Sequence, residues 1–200
     1  MIEAKELKTW ADDLKPVIFD INIAVSNLFI LRHENSNKFK EEHQELYINL
    51  WYQQDFIAII QLAKIFSHSS NQKLNIIKLC NRYKNEPLDT EIKDILTANQ
   101  TKLNDVFRSR TEIIDAVKEI EIEIEGASAI IRKIESLRNK VFAHTDKDVP
   151  NDEITLDELI TLKDLANKIY NTLFGKVFDE YFHFPLTMKY DFRTIIDSFK

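Results

Sequence analysis

The stretch Ile113-Ile114-Asp115-Ala116-Val117-Lys118-Glu119-Ile120-Glu121-Ile122-Glu123-Ile124-Glu125-Gly126-Ala127-Ser128-Ala129-Ile130-Ile131-Arg132-Lys133-Ile134 decides the fold class. Ile113, Val117, Ile120, Ile124, Ala127, Ile131 and Ile134 recur at alternating intervals of four and three, which returns side chains to one face of a helix. An overlapping row runs through Ile130, Ile134, Leu137 and Val141. Within it, Glu119 to Glu125 alternates with Ile120, Ile122 and Ile124, a pattern that in isolation fits a strand. The helical register passes through that segment unbroken from both sides. The spacing therefore predicts one long amphipathic helix ending near His144, which Gly126 can bend.

Outward from this helix the same period recurs. Pro16 suits the first turn of a helix, where a missing N–H does no harm, and Ile18, Ile21, Val25 and Leu28 form a stripe behind it. A break falls in the polar segment His33 to Lys40. A second strong helix spans about Gln44 to Phe66, carrying Leu46, Tyr47, Leu50, Trp51, Ile57, Ile60 and Leu62. Ser67 to Asn71 supplies several candidate N-caps for a shorter helix from about Gln72 to Tyr83. Asp89 or Thr90 can cap another. Downstream, Thr145 to Asp152 reads as a polar loop containing Pro150. Thr155 and Glu158 match a capping box, opening a helix with Leu159, Leu162, Leu165, Ala166, Ile169 and Leu173. Gly175 is placed as its stop. The aromatic-rich segment Tyr181 to Lys200 is either a packed tail or a partner-binding arm.

Composition agrees with this all-α reading. Of 200 residues, 44% are hydrophobic and 30% charged, with two Gly and four Pro. So few turn formers disfavour β architectures, which need many tight turns. We expect one domain over residues 1–200, an up-and-down helical bundle with two or three long helices. Its core would span about 16–175, followed by a C-terminal tail at 176–200. Cys80 stands alone, so no internal disulfide can form; its apolar neighbours Leu74, Ile76, Ile77 and Leu79 favour a buried small hydrophobe over a reactive thiol. Met1-Ile2-Glu3-Ala4-Lys5-Glu6 lacks the basic start and apolar core of a signal peptide, and uninterrupted apolar runs are only a few residues long. The cytoplasm is the default compartment. A net charge of −6 argues against broad coating of nucleic acid, which favours basic surfaces, while leaving room for a small local site.

Several chemistries lack their residues. No glycine-rich phosphate loop, GxSxG elbow or HExxH helix is present, and His33, His43, His68, His144 and His183 show no pair at the spacing of a helical zinc site. We expect no metal and no cofactor. Glu119, Glu121, Glu123 and Glu125 spread around a helix and read as a solvated face. Trp10 and Trp51 read as core or interface aromatics.

What remains is Ser136-Leu137-Arg138-Asn139-Lys140-Val141-Phe142-Ala143-His144-Thr145-Asp146, which closes the long helix. Arg138 continues one apolar row and His144 the other, so two polar groups stand where the register calls for apolar ones. Such a swap carries a desolvation cost, which marks the pair as a candidate site or interface. A structural alternative pairs Arg138 with Glu135 or a neighbouring helix and leaves His144 as a cation at the helix C-terminus.

This segment resembles the signature of the HEPN superfamily: an Arg followed by a polar residue, then a His after four to six intervening residues. Here Arg138 is followed by Asn139, and five residues separate it from His144. The string Arg-Asn-Lys-x-x-Ala-His-x-Asp looks most like the abortive-infection branch. The resemblance covers Pro16 to Gly175, with Arg138 to Asp146 its specific part. It implies a metal-independent endoribonuclease of the phage-defence or toxin type. Such cleavage needs a proton acceptor for the 2′-OH, a donor for the leaving oxygen and a cation for the charged phosphorane. His144 titrates near neutrality and can do the first two; Arg138 can fork onto phosphate. Asn139 would orient the phosphate or the imidazole. Asp146 would either hold the His144 tautomer or serve the loop, and Lys140 and Lys147, with Arg132 and Lys133, would add local positive charge.

One chain supplies one His, so the resemblance implies a homodimer with a composite cleft. On a regular helix a residue six positions on is turned through roughly 600°, leaving the two side chains about 120° apart. A shared target therefore requires unwinding near Ala143 or a cleft built by two chains. RNA is the expected substrate, and an antitoxin a possible further partner. Two other readings stand beside this one. The chain is a non-catalytic HEPN-like nucleotide- or protein-binding module, or an unrelated helical adaptor using Tyr181 to Phe192 as its contact.

Overall fold

The computed structural model describes residues 1–33, 41–67, 74–142, 153–184 and 192–197. The fold is all-α, as the periodicity predicts, and its long helices pack up and down. Its helices are α1 (Ala4–His33), α2 (Glu41–Phe66), α3 (Ile76–Asn85), α4 (Thr90–Asn99), α5 (Arg110–Gly126), α6 (Ser128–Phe142), α7 (Leu156–Tyr170), α8 (Lys176–Phe178) and α9 (Phe192–Asp197). Among the described residues there is no strand, only an isolated bridge between Ile2 and Leu88.

α1 is the central helix, and α2 and α7 run antiparallel to it. Asn27 Nδ2 donates to Gln54 (3.0 Å) and Gln61 Nε2 to Asp20 (2.8 Å) along α2. On the other side, fully buried Asn22 exchanges amide hydrogen bonds with Asn167 of α7, at 2.8 and 3.0 Å. A buried amide pair with its donors and acceptors matched fixes the register of two helices that apolar packing alone would leave free to slide. α1 is long and apolar enough to cross a membrane by length and composition, with a mean hydropathy of 1.6 over 18 residues. Here Ile18, Ile21, Ala24, Val25 and Leu28 of that helix are at most 2% exposed, sealed in the protein core.

Three expectations need correction. Pro16 lies inside α1, not in its first turn. It costs one backbone hydrogen bond, and the helix persists because burial of Leu7 and Leu14 before it and Val17 and Ile18 after it holds both sides. The core accordingly begins at Ile2. The long helix of the register is two helices, α5 and α6, parted at Ala127 (φ −91°, ψ 3°). Backbone hydrogen bonds bridge the break: Ala127 N–H donates to Glu123 (3.0 Å) and Ile131 N–H to Ala127 (3.0 Å). All seven residues of the apolar row stay buried across it while Ile122 is 71% exposed. A side chain at Gly126 would meet nothing within 4 Å, so its contribution is backbone freedom.

Gly175, thirdly, does not stop α7. The chain continues through a π-helical turn, Asn171–Gly175, into α8, and reverses only at Asp179, which is left-handed at φ 60°. The chain returns so closely that a Cβ on Gly175 would lie 3.4 Å from the Tyr181 ring. Asn171 clamps the returning strand of chain through both backbone groups of Phe182, at 2.9 and 3.1 Å. The described part of the aromatic tail is thus packed, and Ile196 of α9 is fully buried against Leu31.

Caps follow the sequence. Asp89 accepts from Ile92 N–H (2.8 Å) at α4, and Thr155 and Glu158 form the reciprocal box at α7 (3.2 and 2.8 Å). Cys80 is fully buried; burial, with Glu121 nearby, pushes its thiol up to about 12, so it is no nucleophile. α2 departs from simple amphipathicity. Its inner face carries Ala58, Ile59, Leu62 and Ala63, yet Ile48, Tyr52 and Phe56 form an exposed row at intervals of four.

Candidate functional site

Arg138 stands one turn before the described end of α6, half-buried, with exposed Asn139 after it. The register that buries Ile131 and Ile134 brings the next position, 138, to the margin of the core beside the C-terminus of α2. There the guanidinium reaches Ser67, just past the end of that helix, with Nη1 at 3.5 Å from the hydroxyl, the outer limit of a hydrogen bond. Its Nε and Nη2 both donate to the Asn139 amide oxygen, at 3.2 and 2.8 Å. Asn139 is therefore the residue that orients the fork.

Ser67 was invisible as a site residue from the sequence, lying 71 positions away. It is buried to 1% and fixed from α3: the N-cap Asn75 donates Nδ2–H to the Ser67 carbonyl (2.5 Å) and accepts from Lys78 N–H (3.2 Å). Four polar residues between two apolar helices, Ser67 to Ser70, signalled only a turn.

The charge around Arg138 is the informative feature. Among the described residues its contacts are two neutral oxygens, and it makes no ion pair; the Glu135 pairing is not formed. Among the described residues no carboxylate offsets the charge of this partly buried guanidinium. Lys133, one of the residues expected to add to that field, is committed elsewhere. Its ammonium binds Glu158 at 2.5 Å, and together with the Thr155 N–H it holds that carboxyl below its ordinary range. Arg132 is exposed and donates to the Ser128 carbonyl (3.3 Å).

His144, Asp146 and Lys147 lie outside the described residues, as do Ala143, the segment 145–152 that the sequence reads as a loop, and the side chain of Lys140. The helix is described to Phe142. The structure thus assembles Arg138, Asn139 and Ser67.

The profile of the HEPN AbiU2 family matches residues 55–191, well over half of the chain. The matched span holds Ser67, the Arg138–Asn139 pair and His144, while α1 lies outside it. No curated protein and no solved structure matches. With an all-α fold and an Arg-Asn pair closing an apolar helix within that span, the chain belongs to the AbiU2 family of HEPN proteins, of the abortive-infection type.

Proposed function

We propose that the chain is a metal-independent endoribonuclease of the phage-defence or toxin type. Its reactive groups are Arg138 and His144, with Asn139 in support. The observation that carries this reading is the Arg138 guanidinium: half-buried, oriented by Asn139 and Ser67, and without a carboxylate partner among the described residues. An arginine retained for structure usually meets a carboxylate or backbone carbonyls, as Arg108 does with Val106, Lys102 and Asn104.

In the proposed reaction the 2′-OH of RNA, absent from DNA, attacks the adjacent phosphorus. A His144 imidazole takes the hydroxyl proton. Arg138 holds two non-bridging oxygens as charge accumulates in the phosphorane, where a fixed donor contributes most. A second imidazole protonates the leaving 5′ oxygen. The products are a 2′,3′-cyclic phosphate and a 5′-hydroxyl. Because one chain carries one such histidine, the proposal includes a homodimer whose two copies share a cleft. The outward apolar row on α2 supports self-association in general. Asp146 and Lys140 are assigned supporting roles in the histidine orientation and the local field. A cell carrying this activity needs a neutralising protein or a dormant state, so an antitoxin-like partner belongs to the proposal.

The test for a composite site is a mixed dimer. A heterodimer of one wild-type and one His144→Ala chain should lose cleavage, because the shared cleft then holds a single imidazole, while wild-type homodimers leave products ending in 2′,3′-cyclic phosphate. Half the wild-type rate in purified heterodimers would refute the shared cleft. Intact RNA with folded wild-type protein would instead assign the family fold here to a nucleotide- or protein-binding module.

A further inference from the structure

One stripe of α2 changes character halfway along. Ile48, Tyr52, Phe56, Ile59, Ala63 and Phe66 follow one another at intervals of four, four, three, four and three, the spacing of a single helix face. Ile59, Ala63 and Phe66 are sealed in the core, whereas Ile48 is 63%, Tyr52 64% and Phe56 37% exposed. Leu46 and Ile57 flank the bare half and are as exposed as Phe56. Taking roughly 200 Å² for each large side chain, these five leave on the order of 500 Å² of apolar surface bare. A contiguous patch of that size marks an interaction site, and it is the larger part of the roughly 800 Å² that one partner contributes to a specific interface. The bare half lies apart from the Arg138 site: Phe56 precedes Ser67 by eleven residues, roughly 16 Å along the helix.

The polar surroundings of the band select what covers it. Residues 44–57 hold two acids, Glu45 and Asp55, and no base, where a chain that is 30% charged would place about four charges. A face without lysine or arginine offers nothing to RNA phosphates or to an acidic lipid surface, both of which are met by basic side chains. The exposed polar residues beside the row are amides, Gln44, Asn49 and Gln53, and Tyr52 itself ends in a hydroxyl. Amides and hydroxyls both donate and accept, so each can pair with its own kind. A contact between identical surfaces requires that self-complementarity. A chain of net charge −6 also repels its copies least through the face on which its charge is sparsest.

We propose that a second copy of the chain covers this band, with the N-terminal half of α2 packed against its counterpart. The proposal names the contact surface of the homodimer in the nuclease reading, yet it stands whether or not the chain cleaves RNA. The test is sedimentation equilibrium of the full chain. A dimer is expected, with its Kd raised at least tenfold in Ile48→Glu/Tyr52→Glu and unchanged in Ile122→Glu, which charges an exposed isoleucine on α5, both variants melting as wild type. Disulfide trapping of single Ile48→Cys, Tyr52→Cys and Phe56→Cys variants reads the orientation, since Cys80 is buried. Like-with-like bonds at all three positions mean parallel helices, which bring both copies of Arg138 to the same end, as a shared cleft requires. A bond confined to one position means antiparallel helices; this interface then stands and the shared cleft falls. A monomeric chain, a dimer indifferent to the double variant, or trapping at none of the three positions would overturn the proposal. So would wild-type binding to phosphatidylglycerol vesicles that the double variant loses, which would give the band to a membrane.

Discussion

Two arginines divide this molecule into a part that is closed upon itself and a part that is not. Arg82, on α3, bonds Glu86 through Nε and Nη2 at 2.8 and 3.0 Å and forks onto Glu6. Glu86 in turn takes the N-terminal ammonium at 3.0 Å. Its carboxyl is held down at about 2 by Arg82 and that ammonium. Every charge there has its opposite, and the cluster fastens the first residues of the chain to α3. Arg138, on α6, is also partly buried, but its partners are an amide and a hydroxyl oxygen. Both arginines are ordered by hydrogen bonds. Among the described residues no carboxylate faces the second, and that difference underlies the proposal that Arg138, and not Arg82, is reactive.

The sharpest way to break this comparison is to delete each guanidinium in turn. Arg138→Ala should slow RNA cleavage by roughly 10²–10³-fold, the usual effect of losing a fixed donor to a developing oxyanion. It should change stability by no more than about 0.5 kcal/mol in urea titration. Arg82→Ala should do the reverse, costing about 2 kcal/mol of stability, since several partly solvated charge-assisted bonds are lost, with the cleavage rate intact. If Arg82→Ala abolished cleavage in folded protein, the division would fail. Asn139→Asp makes Arg138 resemble Arg82 by giving it a carboxylate. Cleavage should drop roughly tenfold, equivalent to about 1.4 kcal/mol of competing attraction.

The smallest effect is on pH dependence. Glu86 is depressed from 4.5 to about 2 in the folded protein, so its contribution to stability is complete above pH 4.5 and fades as pH falls toward 2. Melting temperatures recorded across that window should decline, and Glu86→Gln should flatten part of the decline. An unchanged profile would show that the clasp is decorative.

How much of this was legible in the chain follows the same division. Periodicity found the buried row from Ile113 to Ile134, and local chemistry found the Thr155–Glu158 box and the Asp89 cap, because each is set within a few residues. The continuity of α1 through Pro16 was not legible, since it depends on Leu7 and Leu14 before the proline being buried with Val17 and Ile18 after it, an outcome of tertiary packing. Nor was the passage of α7 through Gly175, which rests on the returning chain at Tyr181 and Phe182. At the site, two polar residues at apolar register positions drew attention to Arg138 and His144. Ser67 could not be found that way: it is joined to Arg138 by the crossing of α6 with the end of α2. The family match embraces both.

The most direct measurement is the rate of cleavage of total RNA in EDTA by folded wild type beside Arg138→Ala, His144→Ala and Arg82→Ala. Wild type and Arg82→Ala should cleave at similar rates, leaving 2′,3′-cyclic phosphate ends, and the other two should be slower by roughly a hundredfold or more. A near wild-type rate in Arg138→Ala, or RNA left intact by all four, would contradict the account.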